Sequence, residues 1–231
     1  MSIAENLAHI QQRISAAALR AGRDPSEIRL VAVSKTQSAW AVNEAARAGQ
    51  RLFGENYVQE LLAKAPEIAE PVEVHFIGSL QSNKVKYLVN LVTMIHSVDR
   101  LSLAQEISRQ WGKAGKCCDI LLEVNIAGES TKGGTTADAV LELIRDVAQL
   151  PHLRIRGLMT MPPFFDEPEE ARPFFCELRR LAGVIAAADV PGVEMKELSM
   201  GMSGDFEAAI EEGATLVRVG TALFGERNYS R

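Results

Sequence analysis

Three stretches of the 231-residue sequence carry side chains able to act together on one small molecule. The first is RLVAVSKTQ, residues 29 to 37, a valine-rich run that stops on Lys35 between Ser34 and Thr36. A lysine there is either a strand end in water, the commoner case for an isolated residue, or an amine aimed into a site. The second, SMGMSGDFEAAI, sets glycines and Ser203 ahead of a helical pattern whose free N–H groups would point at an anion. The third, LVRVGTALFG, offers backbone N–H at Gly220, a hydroxyl at Thr221, and Arg218 inside an otherwise apolar run. Taken singly, the glycines and Ser203 read equally well as turn and cap residues. If Val217 and Val219 face outward, alternation turns Arg218 inward, and a buried guanidinium needs an acceptor. Glu197 or Glu123 would serve in a purely structural ion pair; a bound ligand would serve in a functional one. An amine close to Arg218 and shielded from water has its charged form disfavoured, which makes lysine a nucleophile toward an aldehyde. Amine, guanidinium and phosphate-binding loops describe a receptor for a phosphorylated carbonyl compound. Pyridoxal 5′-phosphate (PLP) and a sugar phosphate both qualify.

The elements that must position these groups follow from periodicity. Residues 3 to 21 repeat apolar positions with helical spacing and end near Gly22. Eight β-type runs follow: RLVAVSK, RLFGEN, VEVHFIG, VTMIHSVD, DILLEVN, RIRGLMTM, KELSMGMS and LVRVGTALFG. Helix-like segments separate them, several closing on glycine at Gly49, Gly115 and Gly213, where a left-handed cap is expected. Such alternation means parallel strands with helical crossovers, and eight strands in 231 residues favour a closed single (β/α)8 barrel of the TIM type, with an extra N-terminal helix, over a doubly wound sheet. No GxGxxG turn follows the first strand; SKTQS stands there. No linker divides the chain, so residues 1–231 read as one domain. ERNYSR after the last run is too short for an eighth crossover helix, and the N-terminal helix is expected to cover that side. In this fold the reactive groups sit at the C-terminal strand ends, and phosphate sites are commonly built by the loops after strands 7 and 8. Lys35, Asn56, Ser199, Ser203, Gly220 and Thr221 all fall at such ends.

Composition narrows the function. A net charge of −5 argues against a general nucleic-acid binder. No apolar stretch approaches the length of a bilayer span. The N-terminus carries Glu5 and resembles no signal or transit peptide, which leaves a cytoplasmic protein as the expectation. Cys117, Cys118 and Cys176 show no CxxC spacing, and the histidines no ligand spacing, so neither a disulfide framework nor a metal site is indicated. Cys117 and Cys118 together read as small buried thiols.

The segments VAVSKTQ, FGENYVQE, HFIGSLQSNK, HSVDR, EVNIAGESTKGG, IRGLMTM, LSMGMSGDFEAAI and VRVGTALFG closely resemble the pyridoxal phosphate homeostasis proteins. They span residues 31 to 225. The resemblance implies a barrel similar to the N-terminal domain of alanine racemase, holding PLP as a Schiff base on Lys35 without an established catalytic reaction. It further implies that Ser203, Gly220 and Thr221 hold the phosphate, that Ser199 and Asn56 line the cofactor, and that Arg218 faces the pyridine nitrogen. A cationic arginine there disfavours protonation of the ring and weakens it as an electron sink. Many relatives carry a second lysine where this chain has Gln37, which puts an amine-assisted route of cofactor release in doubt. Lys84 and Lys132 read as solvated loop lysines.

Three functions compete. A PLP carrier would buffer the cofactor or deliver it to PLP-dependent apoenzymes, acting as a monomer. A racemase would need acid-base groups on both faces of the substrate, and Tyr57, Tyr87 and Tyr229 are not expected at strand ends. A Schiff-base aldolase would share the lysine and phosphate site but leave Arg218 unexplained. The carrier reading accounts for most of these residues.

Overall fold

The computed structural model describes residues 1–129 and 132–225. Helix α1 (Ile3–Arg20) precedes strand β1 (Arg29–Val33), followed by α2 (Ala39–Arg47), β2 (Leu52–Glu55), α3 (Val58–Lys64), β3 (Glu73–Phe76) and β4 (Met94–Val98). The second half runs α4 (Leu101–Lys113), β5 (Cys118–Glu123), α5 (Val140–Ala148), β6 (Leu153–Met159), α6 (Arg172–Ala187), β7 (Val193–Ser199), α7 (Phe206–Glu211), β8 (Leu216–Val219) and α8 (Thr221–Phe224). The strands close in sequence order into a parallel barrel, with β8 pairing back onto β1 from Arg29 opposite Leu216 to Ala32 opposite Val219.

Alternation divides each strand between two cores. Val31, Leu52, Met94, Leu121, Met159 and Leu216 fill the barrel interior, while Ala32, Phe53, Ile95, Ile120, Val217 and Val219 pack outward against the helices. Arg218, between the two outward valines, therefore points inside and is buried. Gly157 sits at the irregular pairing of β6 with β7, where a Cβ would overlap the Glu197 carbonyl oxygen. Only glycine lets those two strands meet there.

Helix α1 covers the flank next to α8. It packs against α7, α8 and α2. Arg13 pairs with Glu207 at 2.7 Å, and Asn6 Nδ2 donates to the Leu223 carbonyl at 2.9 Å. The segment ERNYSR, together with Tyr229, lies outside the described residues. The glycines closing α2, α4 and α7 adopt left-handed φ of +109°, +65° and +100°, as their positions predict.

Several local expectations differ from the structure. The eighth run ends as strand at Val219, and TALF turns into α8. SNKVKYLVNL forms only a 3-10 helix over Ser82–Tyr87. After α3 the chain tightens to 3-10 at Ala65–Glu67, because Pro66 lacks the N–H that would continue an α-helix. Cys118 is buried but Cys117 is exposed, since β5 begins at Cys118. No helix among the described residues is long and apolar enough to cross a membrane.

Candidate functional site

The turn that carries Lys35 is clamped from below. Ser34 N–H continues the ladder by donating to the Gly54 carbonyl at 3.0 Å, and Gln37 N–H closes the turn onto the Ser34 carbonyl at 3.0 Å. Between them Thr36 takes φ +62°, a left-handed conformation that a β-branched residue adopts only under constraint. The constraint comes from α3 and β2. Thr36 N–H donates to Glu60 Oε1 at 2.6 Å. Buried Lys64 reaches the Ser34 carbonyl at 2.7 Å, Glu55 at 2.8 Å and Glu60 at 2.9 Å, and Ser34 Oγ donates to Glu55 at 2.7 Å. Burial pushes the Glu55 carboxyl up, and the Lys64 ammonium opposes that shift. Replacing Thr36 by glycine removes the left-handed strain, partly offset by the freer unfolded chain, so Thr36→Gly should raise unfolding stability by about 1 kcal/mol in urea titrations. Ser38 caps α2 through Ala41 N–H at 3.3 Å. Ser38→Ala should lower stability by about 0.5–1 kcal/mol in the same assay.

Beside this turn, β7 and β8 end in two linked loops. Gly201 turns the chain at φ +88°, against Phe206 and Ala209 where a Cβ would clash. Met202 N–H donates to Asp205 Oδ1 at 2.5 Å, and Gly220 N–H donates to Ser203 Oγ at 3.3 Å, joining loop to loop. Lys35, Asn56, Ser203, Arg218, Gly220 and Thr221 together line one cavity of about 330 Å³ at the C-terminal mouth. Met161, Phe164 and Phe165, from the loop after β6, form its apolar wall. Lys35 and Asn56 are half-buried, Thr221 exposed. Asn56 Oδ1 is buried without a hydrogen-bond partner among the described residues.

Ser199 stands apart from the other candidates. It does not line the cavity; it lies wholly buried beneath it and accepts from Arg218 Nη1 at 2.6 Å. Arg218 Nη2 donates to the Thr160 carbonyl at 2.9 Å. The ion pairs considered for Arg218 do not form: Glu197 pairs with Arg29 at 2.8 Å at the opposite mouth, and Glu123 acts on Arg218 only through its charge. Burial pushes the guanidinium down to about 10, with Asp205 and Glu123 opposing, so it stays cationic at neutral pH. Glu123, at the end of β5, is pushed up to about 7, first by burial and then by the neighbouring Asp99 charge, against the pull of Arg218.

Gln37, Lys84 and Lys132 do not line the cavity, and Lys132 pairs with Glu129 at 2.7 Å. Tyr57, expected away from strand ends, follows β2 by two residues and is exposed without lining the cavity. Sequence reasoning missed the Lys64 clamp and the buried pair His75 and His96, and named Glu123 only as a partner for Arg218. The inward positions of both histidines follow from alternation in VEVHFIG and VTMIHSVD, a signal available once the strands were placed.

The family model of the alanine racemase N-terminal domain matches residues 5–228. A pyridoxal phosphate homeostasis protein of Aquifex aeolicus is 45% identical over 99% of this chain and 100% of its own length. A protein of the same name from Pseudomonas aeruginosa is 47% identical over 99% of this chain and 97% of its own. Among solved structures, PipY of Synechococcus elongatus with PLP bound superposes with a TM-score of 0.85 at 38% identity, covering 97% of this chain and 100% of that one.

Proposed function

Since the chain belongs to the pyridoxal phosphate homeostasis family, with the barrel of the alanine racemase N-terminal domain, we propose that its cavity receives PLP and that the protein holds the cofactor for buffering and delivery. The observation that carries this reading is the convergence of Lys35, the unpartnered Asn56 Oδ1 and Arg218 with the Ser203–Gly220 loop junction on one cavity of about 330 Å³. That volume suits a ligand of this size. PLP, when bound, supplies an aldehyde, a pyridine ring and a phosphate.

Each residue then has a task. Lys35 offers the amine that anchors the aldehyde covalently. Ser203, Gly220 and Thr221 take the phosphate through hydroxyl and backbone N–H, at the loops where this fold commonly holds one. Asn56 contributes its amide to the polar edge, and Ser199 acts one layer below, by fixing Arg218. The guanidinium, cationic and donating only, is presented to the ring nitrogen and keeps it unprotonated. An unprotonated ring stabilises carbanions poorly, so the site favours holding the cofactor over turning over amino acids. The relatives are named for homeostasis, in keeping with that balance. We place the protein in the cytoplasm, as a monomer that delivers PLP to apoenzymes able to accept it.

The test is direct. Incubation with PLP should produce near-visible absorbance in stoichiometric amount, and borohydride reduction should leave a phosphopyridoxyl mass on Lys35. Absence of that adduct overturns the reading. So does rapid solvent exchange of the α-hydrogen across several amino acids in deuterated water, because it would show an enzyme.

A further inference from the structure

His75 and His96 are both fully buried inside the barrel, on neighbouring strands β3 and β4. They belong to one unbroken hydrogen-bonded file. Arg218 Nη1 meets Ser199 Oγ at 2.6 Å, Ser199 Oγ meets His96 Nδ1 at 3.0 Å, His96 Nε2 meets His75 Nδ1 at 2.9 Å, and His75 Nε2 meets Glu73 Oε1 at 3.0 Å. Glu73 is the first residue of β3, at the N-terminal mouth of the barrel, where its carboxylate also accepts from Thr93 Oγ1 at 2.8 Å. The file thus crosses the barrel from the far mouth to the cavity.

Its two ends fix its direction. A guanidinium can only donate and a carboxylate can only accept. Glu73 is held down to about 2, chiefly by the bond from His75, so it is ionised at neutral pH. His75 must therefore carry its proton on Nε2 to meet the carboxylate. If both rings are neutral, His75 Nδ1 is an acceptor, so His96 must also be protonated on Nε2. His96 Nδ1 is then an acceptor, which obliges Ser199 to donate to it and leaves Ser199 to accept from Arg218. His96 is kept neutral chiefly by its burial, with the charges of Arg218 and Arg29 acting in the same direction. With both rings neutral, one arrangement of protons satisfies every link.

We propose that Glu73, His75 and His96 are positioning residues that form a one-way hydrogen-bond relay through the barrel, orienting Ser199 and thereby the guanidinium that Arg218 presents to the cofactor. This deepens the PLP reading and rests on it for the cavity end only. The relay makes the cavity sensitive to a carboxylate on the opposite face of the molecule. Because every intermediate group has both its donor and its acceptor engaged, losing the terminal acceptor frees the whole file to reverse or disorder.

The experiment has two arms. In the protein without PLP, ring ¹⁵N spectra of labelled histidine at pH 8 should show His75 and His96 neutral and both protonated on Nε2. In Glu73→Ala, which removes the terminal acceptor, His96 should lose that single tautomer. Asp119→Asn serves as control, because Asp119 lies at the same mouth but pairs with Arg154 and Arg156 outside the file. In the PLP-loaded protein, Glu73→Ala should speed PLP release about fivefold, the equivalent of one hydrogen bond, and shift the near-visible band, while Asp119→Asn does neither. His96→Leu should release PLP at least as fast, and His96→Gln, which restores a donor and an acceptor, should recover part of the loss. A charged ring at pH 8, an Nδ1-protonated His96, or identical behaviour of Glu73→Ala and Asp119→Asn overturns the relay. If PLP fails to bind the unaltered protein, the proposed function falls, and the spectra without PLP decide the relay by themselves.

Discussion

Lys35→Ala should abolish the borohydride-fixed adduct at that position and weaken PLP binding about a hundredfold or more, roughly 3 kcal/mol. The size follows from what is lost and what remains. On the proposed reading the substitution deletes the covalent anchor while leaving the Ser203–Gly220 junction, Thr221 and Arg218 in place, so the groups assigned to the phosphate and the ring would remain. Residual, non-covalent binding is therefore expected, detectable by equilibrium dialysis but leaving no lysine adduct on reduction. The protein should fold normally. The clamp beneath the turn works through the Ser34 carbonyl and hydroxyl, the Thr36 N–H and the Lys64 ammonium, none of which belongs to the Lys35 side chain. Dialysis, spectra and a urea titration on the same sample separate these effects. Unchanged affinity would mean that the amine does not anchor the ligand, and an adduct mapped to Lys64 or another lysine would relocate the site.

The barrel was legible because each of its strands is a short apolar run bounded by polar residues, and the C-terminal ends of those runs marked the mouth before any contact was known. Lys35, Asn56, Ser203, Gly220 and Thr221 could be read for that reason: each stands where a run stops. Arg218 was legible through alternation alone, flanked by two outward valines. What lay beneath the mouth was not. The Lys64 clamp joins residues from three elements, and nothing in VQELLAK distinguishes a buried lysine from a solvated one. His75 and His96 carry no spacing motif, because their relationship is set by the register of β3 against β4 rather than by separation along the chain. Ser199 was placed correctly at a strand end but one layer too high; its hydroxyl serves the arginine instead of lining the cavity. The four-residue helix α8 was hidden for the opposite reason, since TALF is as apolar as the strand that precedes it.

Glu123→Gln should stabilise the protein without PLP by about 3 kcal/mol at pH 8 and by almost nothing at pH 4.5. The carboxyl is buried at the end of β5, and burial together with the Asp99 charge carries its pKa from the ordinary 4.5 to about 7. Each pKa unit corresponds to about 1.4 kcal/mol, which sets the magnitude. The sign follows from proton counting. Between about pH 4.5 and 7 the folded protein holds a proton on Glu123 that the unfolded chain has released, so this group's contribution to stability falls as pH rises through that window and is constant above it. The amide is neutral at every pH and escapes this loss. Asp99→Asn should recover a smaller share over the same window, because the Asp99 charge ranks below burial as a cause. Arg218 already holds the Glu123→Gln gain at this size, since its positive charge favours the ionised carboxylate and a glutamine forgoes that attraction. Urea unfolding at half-unit steps from pH 4.5 to 8 measures the difference curve directly. A gap between the two proteins that stays flat with pH would show that Glu123 titrates at an ordinary value, and that solvent reaches this side of the mouth.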